Sequence, residues 1–185
     1  KTTFVAAGVL GAAVGVGLTM TLAMDLRLAS TQARLGLVFA RRGIVPEACS
    51  SWFLPRLVGV QQALEWIYTG RIFAAQEAFE AGLVRSLHAP ESLLGDARAL
   101  AREIADNTSA ISIALARQMV WRMSGADHPM EAHKIDSRAI RATGASADAH
   151  EGVASFLEKR PPHFTLKPSR DLADFYPWWP ERSFE

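Results

Sequence analysis

The sequence predicts an α/β fold in which short buried strands precede a set of amphipathic helices. Near the N terminus, short apolar runs are separated by glycines, which is typical of parallel strands buried on both faces. From about residue 60 onward, apolar residues recur at the spacing of a helix face. Prolines interrupt the segment after residue 160, which therefore cannot form a regular helix.

The elements follow in chain order from these patterns. We predict strands at residues 4–7, 11–14, 25–29, 33–35 and 83–87. We predict helices at residues 16–23, 60–69, 74–81, 91–106, 109–123, 130–142 and 147–159. Gly70 and Gly82 are placed to end two of the helices, and Ser109 is a suitable N-cap. The chain thus divides into a strand-rich core (1–89), a helical region (90–160) and a tail (161–185).

Composition and charge argue against several classes of protein. A net charge of +1 over 185 residues gives no electrostatic basis for binding nucleic acid. Cys49 is the single cysteine, so an internal disulfide framework is excluded. The five histidines are scattered along the chain and do not predict a metal site.

The uncharged run at residues 4–24 is long enough to cross a membrane, and a signal peptide is a further alternative. Four glycines in the run disfavour a continuous helix, and Asp25 and Arg27 follow it directly. We therefore prefer two strands, a glycine-rich turn and a short helix for this part of the chain.

The turn Gly15-Val16-Gly17 is a candidate ligand site because it leads into the predicted short helix. Glycine lets a backbone approach a ligand closely, and the first N–H groups of a helix have no partner within it. The pattern is not GxGxxG, so it gives little support for a dinucleotide site. We interpret the turn as a backbone donor for a developing oxyanion, with close packing as the alternative.

Pro46-Glu47 is the main candidate for catalysis. Proline is favoured in the first turn of a helix, so we expect Glu47 to lie there, close to free backbone N–H groups. Such a residue could do no more than complement the helix dipole. A carboxylate among apolar groups, however, is better suited to act as a general base. The apolar residues near Glu47 in the sequence are Phe39, Ile44, Val45, Trp52 and Phe53.

Two further segments have alternative interpretations. Arg41 and Arg42 are either solvated or in contact with an anionic substrate tail. Trp178 and Trp179 could each bury a large area, so we expect the tail to pack on the body of the protein or on a neighbouring subunit. A loose tail is the alternative.

Six stretches, in this order and spacing, resemble the enoyl-CoA hydratase/isomerase (crotonase) superfamily between about residues 5 and 164. They are GAAVGVGLTM from Gly11, MDLRLAS from Met24, GIVPE from Gly43, YTGRIF from Tyr68, EAGLV from Glu80 and EGVASFLEKR from Glu151. The resemblance implies a spiral of ββα turns, followed by helices that build trimers or pairs of trimers. It also implies a CoA thioester as substrate, with no separate cofactor, and a thioester oxygen held by two backbone N–H groups. The Val16 N–H matches the second of these.

The departures from the family pattern are informative. The positions that match the two glutamates of family hydratases are Thr19 and Phe39, and neither side chain transfers protons at neutral pH. In contrast, residues 46–51 (PEACSS) are similar to the PEGCSS stretch of the peroxisomal-type Δ3,Δ2-enoyl-CoA isomerase branch. There the glutamate at the Glu47 position is the catalytic base. A complete core of this family begins before Lys1, so we expect the first oxyanion donor to come from an N-terminal part.

Three hypotheses follow. The first is a 3-enoyl-CoA to 2-enoyl-CoA isomerase with Glu47 as base and the Val16 N–H as oxyanion donor. Its substrate contacts are expected from Gly15, Gly17, Phe39 and Trp52. The second is a hydratase or other lyase in which Glu47 places water, and the third is a non-catalytic acyl-CoA-binding or assembly subunit. The expected partners are an acyl-CoA thioester and other copies of the chain. We expect no nucleic acid or membrane, and the cytoplasm is the default location.

Overall fold

The computed structural model describes residues 6–185, and the two predicted strand residues at positions 4 and 5 lie outside this range. The described chain forms two compact units, residues 6–101 and residues 102–185. The predicted boundaries at residues 89 and 160 remain predictions.

The first unit contains two three-stranded sheets. The strands are β1 (Ala6–Val9), β2 (Ala12–Val14), β3 (Leu26–Ser30), β4 (Arg34–Gly36), β5 (Ile72–Ala74) and β6 (Ser86–His88). One sheet has the order β1-β3-β6 and is parallel throughout. In the other, β2 and β4 are parallel and β5 joins β4 antiparallel. Strands β1 to β4 therefore alternate between the sheets, β5 stays in the sheet of β4, and β6 returns to the first sheet.

Helices α1 to α4 lie between strands in the sequence, and α5 to α8 follow the last strand, β6. In chain order they are α1 (Val16–Thr19), α2 (Ser50–Val58), α3 (Val60–Thr69), α4 (Ala75–Glu80), α5 (Leu93–Asn107), α6 (Ala110–Met123), α7 (Pro129–Gly144) and α8 (Ala147–Glu158). A 3₁₀ turn covers Ala40–Arg42. Across residues 6–185, no helix is both long enough and apolar enough to span a membrane.

Several predicted boundaries were wrong by a few residues. The first strand continues to Val9, and the first helix ends at Thr19 because turns follow as far as Ala23. Strand β6 begins three residues later than predicted, and helix α7 extends to Gly144. The strand β5 was not predicted, because three residues before a helix carry too little alternation to be recognised.

A buried arginine fixes the turns after α1. Arg27 is 6% exposed and donates to the carbonyl oxygens of Leu83 at 2.8 Å, Met24 at 2.7 Å and Thr21 at 3.0 Å. Burial lowers the pKa of the guanidinium, although the nearby Asp25 acts in the opposite direction. The carbonyl groups of these turns thus find a donor inside the protein, and the turns after α1 are anchored to β3.

A polar cluster joins β6 to the first turns of α5. His88 contacts Asp96 through Nδ1 at 2.7 Å and Ser86 through Nε2 at 2.8 Å. The hydroxyl of Ser92 also donates to Asp96, and hydrogen bonds from Ser92 and His88 lower the pKa of the Asp96 carboxyl group. Because Asp96 is shared with Ser92 at the helix start, we assign the cluster to the fold.

In the second unit, a buried carboxylate connects three segments. Asp148, in the first turn of α8, is 4% exposed and accepts a hydrogen bond from the hydroxyl of Ser109 at 2.6 Å. Its other oxygen accepts the backbone N–H groups of Thr165 at 3.0 Å and Leu166 at 3.3 Å. Ser109 is the N-cap of α6, as predicted.

The tail has no helix or strand after α8. Its aromatic residues pack on one another, with the rings of Trp178 and Trp179 at 4.7 Å and those of Tyr176 and Trp179 at 5.2 Å. Arg122 of α6 lies over the ring of Trp179 at 3.9 Å. The prediction that the tail packs on the body of the protein is confirmed by this contact.

An ion pair at the end of α8 gives a pH-dependent contribution to stability. Arg160 binds both carboxylate oxygens of Glu151, at 2.6 and 2.9 Å, and the His163 N–H donates to the same group at 2.7 Å. The Arg160 hydrogen bonds and then that of His163 lower the pKa of Glu151 to about 2. Since the folded-state pKa is depressed, this stabilisation is present above the ordinary glutamate pKa and is lost as the pH falls through about 2.

We therefore expect Glu151→Gln to lower the unfolding temperature at neutral pH, because the amide has no charge for Arg160. The difference in unfolding temperature between wild type and Glu151→Gln should decrease as the pH falls below the ordinary glutamate pKa towards about 2. Thermal unfolding of both proteins across this pH range measures the difference. A gap that stayed constant with pH would show that the charge of Glu151 does not contribute.

Candidate active site

One part of the candidate site is the glycine turn that follows β2. Gly15 has φ 59° and ψ −128°, a conformation that side-chain-bearing residues rarely adopt, and its N–H donates to the Gly36 carbonyl at 2.9 Å. Helix α1 begins at the next residue, Val16. Within residues 6–185, the Val16 N–H has no hydrogen-bond acceptor, and the residue is 61% exposed. The turn therefore offers a free backbone donor at the surface of this unit.

Glu47 lies in a loop and not in the first turn of a helix, so this prediction was wrong. Ala48 and Cys49 both have positive φ, at 53° and 56°, and α2 begins only at Ser50. These two left-handed residues form a turn between Glu47 and the start of α2. Ser50 holds the loop, because its N–H donates to the Glu47 carbonyl at 3.1 Å and its hydroxyl donates to the same oxygen at 2.5 Å.

The structure brings the glycine turn and the Glu47 loop together through a residue that we had not assigned to the site. The hydroxyl of Thr19, the last residue of α1, donates a hydrogen bond to Glu47 Oε1 across 28 residues of sequence. Thr19 is fully buried. Its sequence signal was weak: it is one of two hydroxyl residues in an apolar run, four positions after Gly15.

The apolar enclosure expected around Glu47 is not provided by this chain alone. Glu47 is exposed, and its predicted neighbours Ile44 and Val45 are 58% and 81% exposed. Phe53 is half-buried against the core, whereas Phe39 is 7% exposed and its ring lies beside the glycine turn. A Cβ atom at Gly15 would be 3.9 Å from Phe39 Cζ. Phe39 therefore supplies an apolar wall next to the Val16 donor.

The other predicted residues are placed less centrally. Trp52 is on α2, and the guanidinium of Arg56 lies over its ring at 3.3 Å. Gly17 is the second residue of α1 and has open space around it. Arg41 donates to the Thr69 carbonyl at 2.7 Å, which favours a structural role, whereas Arg42 is exposed.

Chemically, the site presents one carboxylate and one free backbone donor. Glu47 can accept and return a proton, and the Val16 N–H can stabilise an oxyanion. Of the two residues that the resemblance matches to the glutamates of family hydratases, Thr19 donates its hydroxyl to Glu47 and Phe39 is a buried phenyl ring. Among residues 6–185, no group of three or more His, Cys, Asp or Glu residues could hold a metal ion.

The fold is the crotonase α/β fold with a helical C-terminal region, so the predicted fold class is confirmed. The family model for enoyl-CoA hydratase/isomerase matches residues 2–167. The chain therefore belongs to the enoyl-CoA hydratase/isomerase family.

Some individual relatives are named hydratases and others isomerases. An enoyl-CoA hydratase of Alternaria alternata is 43% identical over 159 residues, which are 85% of this chain and 53% of that protein. The 1,2-epoxyphenylacetyl-CoA isomerase of Escherichia coli is 31% identical, over 85% of this chain and 59% of its own length. The crystal structure of a probable enoyl-CoA hydratase/isomerase from Mycobacterium abscessus superposes with a TM-score of 0.86 at 34% identity. The alignment covers 90% of this chain and 64% of that one. The chain spans about half the length of the first of these relatives.

Proposed function

We propose that the protein moves the double bond of a 3-enoyl-CoA to the 2-enoyl position, with Glu47 as its single base. The observation that carries this proposal is the Thr19–Glu47 hydrogen bond. It joins the candidate base to the helix that begins with the candidate oxyanion donor, Val16. By the resemblance described above, the Thr19 hydroxyl stands where hydratases of this family have a carboxylate.

The proposed reaction uses both of these groups. Glu47 removes a proton from C2 of the 3-enoyl thioester, the C2–H electron pair moves into the conjugated system, and the thioester oxygen becomes negative. The Val16 N–H donates to this oxygen. The protonated Glu47 then delivers its proton to C4, and the electrons return to form the C2–C3 double bond. The proton count balances, and no oxidant or separate cofactor takes part.

The proposed reaction also needs a water-poor site, since water would exchange with or add to the intermediate. Exposed apolar residues flank both ends of the Thr19–Glu47 contact in sequence. They are Val16, Met20, Ile44 and Val45. We infer that the acyl chain lies against these residues and removes them, together with Glu47, from water. The gain is about 25 cal/mol for each Å² of apolar surface covered.

The test is a paired assay of the full-length protein with a 3-enoyl-CoA and a 2-enoyl-CoA. We expect the 3-enoyl-CoA to be converted to the 2-enoyl-CoA without release of 3-hydroxyacyl-CoA. Formation of 3-hydroxyacyl-CoA as the main product would overturn the proposal in favour of hydration. If neither thioester reacted but both bound, the non-catalytic acyl-CoA-binding role would replace it.

Hydration of a 2-enoyl-CoA is the second candidate, and two observations favour it. Glu47 is exposed, so water can reach it, and several relatives are named hydratases. In that reaction Glu47 alone would have to place and activate the water.

We also propose that the protein assembles as a homotrimer or a pair of trimers. Sedimentation of the protein with and without residues 178–185 would measure the oligomeric state and show whether the tail contributes to it.

A further inference from the structure

The hydroxyl of Thr19 has one near acceptor, on Glu47, and two more distant ones on the backbone. It donates to Glu47 Oε1, and the carbonyl oxygens of Gly15 and Val16 both lie 3.4 Å from the same hydroxyl oxygen. The Gly15 oxygen already accepts two backbone N–H groups, from Leu18 and Thr19, at 3.0 and 3.1 Å. The Val16 oxygen accepts one, from Met20 at 3.0 Å, so it has a lone pair available.

We propose that Thr19 is a positioning residue that supports Glu47 in both of its protonation states. While Glu47 is a carboxylate, the Thr19 hydroxyl donates to Oε1. When Glu47 carries the proton from substrate on Oε2, Oε1 becomes the carbonyl oxygen of the acid and still accepts the hydrogen bond from the Thr19 hydroxyl.

This assignment rests on the proposed function and adds a division of labour between the two oxygens of Glu47. Oε1 is held against a fully buried side chain, so substrate and water reach the carboxyl group through Oε2. One oxygen therefore carries the proton from C2 to C4, while the other keeps the group oriented. Thr19 touches no reacting atom, so its effect on the rate acts through Glu47.

Two substitutions separate this role from simple packing. Thr19→Val keeps the shape of a fully buried side chain but removes the hydroxyl, whereas Thr19→Ser keeps the hydroxyl and leaves a methyl-sized gap. If Thr19 matters only for packing, Thr19→Ser should be the more harmful change for both stability and rate. If Thr19 positions Glu47, the order of the rates is reversed.

We expect Thr19→Val to lower kcat for isomerisation by about ten- to a hundred-fold, the usual size for a lost hydrogen bond to a charged group. KM should change by less than about three-fold, because the contact is not made to substrate. Thr19→Ser should stay within a few-fold of wild type in kcat even if its unfolding temperature is the lower of the two. Unfolding curves for both variants are recorded alongside the kinetics.

Glu47→Gln, assayed in parallel, distinguishes the possible failures. Loss of activity in Glu47→Gln with wild-type kcat in Thr19→Val would overturn the role of Thr19 and leave the proposed function intact. Rates that followed the order of stability, with Thr19→Ser below Thr19→Val, would also overturn it. Full activity in Glu47→Gln would remove the proposed function, and the assignment of Thr19 with it.

Discussion

Replacing Glu47 with glutamine should reduce isomerisation of a 3-enoyl-CoA by about a hundred- to ten-thousand-fold, the range expected for loss of a general base. The amide has nearly the same shape, and its oxygen can still accept the hydrogen bond from Thr19. The loop should therefore keep its conformation, and the unfolding temperature should stay close to that of wild type. What the variant loses is the ability to take a proton from C2.

Steady-state kinetics with one 3-enoyl-CoA measures this effect, and Glu91→Gln is the matched control. Glu91 is an exposed glutamate just before α5, so the control changes charge by the same amount away from the glycine turn. Activity of Glu47→Gln equal to that of Glu91→Gln would contradict the role of Glu47 as base. The Glu47→Gln variant tests whether Glu47 is needed, but it does not identify the reaction, because a hydratase that used Glu47 would be inactivated as well. The reaction is identified by the product that the wild-type protein forms.

The second large effect is expected at Gly15. An alanine there would have to adopt φ 59° and ψ −128°, which costs of the order of 1–3 kcal/mol of folding free energy or shifts the turn. The added Cβ would meet Phe39 at an ordinary contact distance of 3.9 Å, so the cost comes from the backbone and not from crowding. A shifted turn redirects the Val16 N–H, and losing one oxyanion donor typically costs about a hundred- to a thousand-fold in kcat.

Gly11→Ala is the control for this prediction. Gly11 lies between β1 and β2, has no positive φ, and has no atom within 4 Å of an added Cβ. We expect Gly11→Ala to retain kcat and the unfolding midpoint in urea, while Gly15→Ala loses both. Equal kcat values for the two variants would mean that the conformation of Gly15 has no part in catalysis.

How much the sequence could predict depended on whether the signal was local. Helix α3 was predicted with its observed bounds, because Gly70 ends it in the left-handed conformation that glycine favours. The N-cap at Ser109 was equally clear, since a serine before an apolar helical run has a direct physical role there. The parallel strands followed from apolar runs without alternation.

The errors arose where tertiary structure overrides local preference. Alanine and cysteine rarely adopt the left-handed conformation, so the sequence of Ala48-Cys49 does not predict it. We therefore predicted that the helix already included Glu47, whereas α2 begins three residues later, at Ser50. The Thr19–Glu47 contact was beyond local reasoning for another reason: it joins residues 28 positions apart, and only the packing of α1 brings them together.

The left-handed turn beside Glu47 also provides a point of attachment for a reporter group. Cys49 is the single cysteine of the chain and its thiol is exposed, two residues after the proposed base. A maleimide fluorophore would consequently label one position without any prior removal of other thiols. If a CoA thioester binds beside Glu47 as proposed, the emission of this fluorophore would report the binding in real time and without turnover.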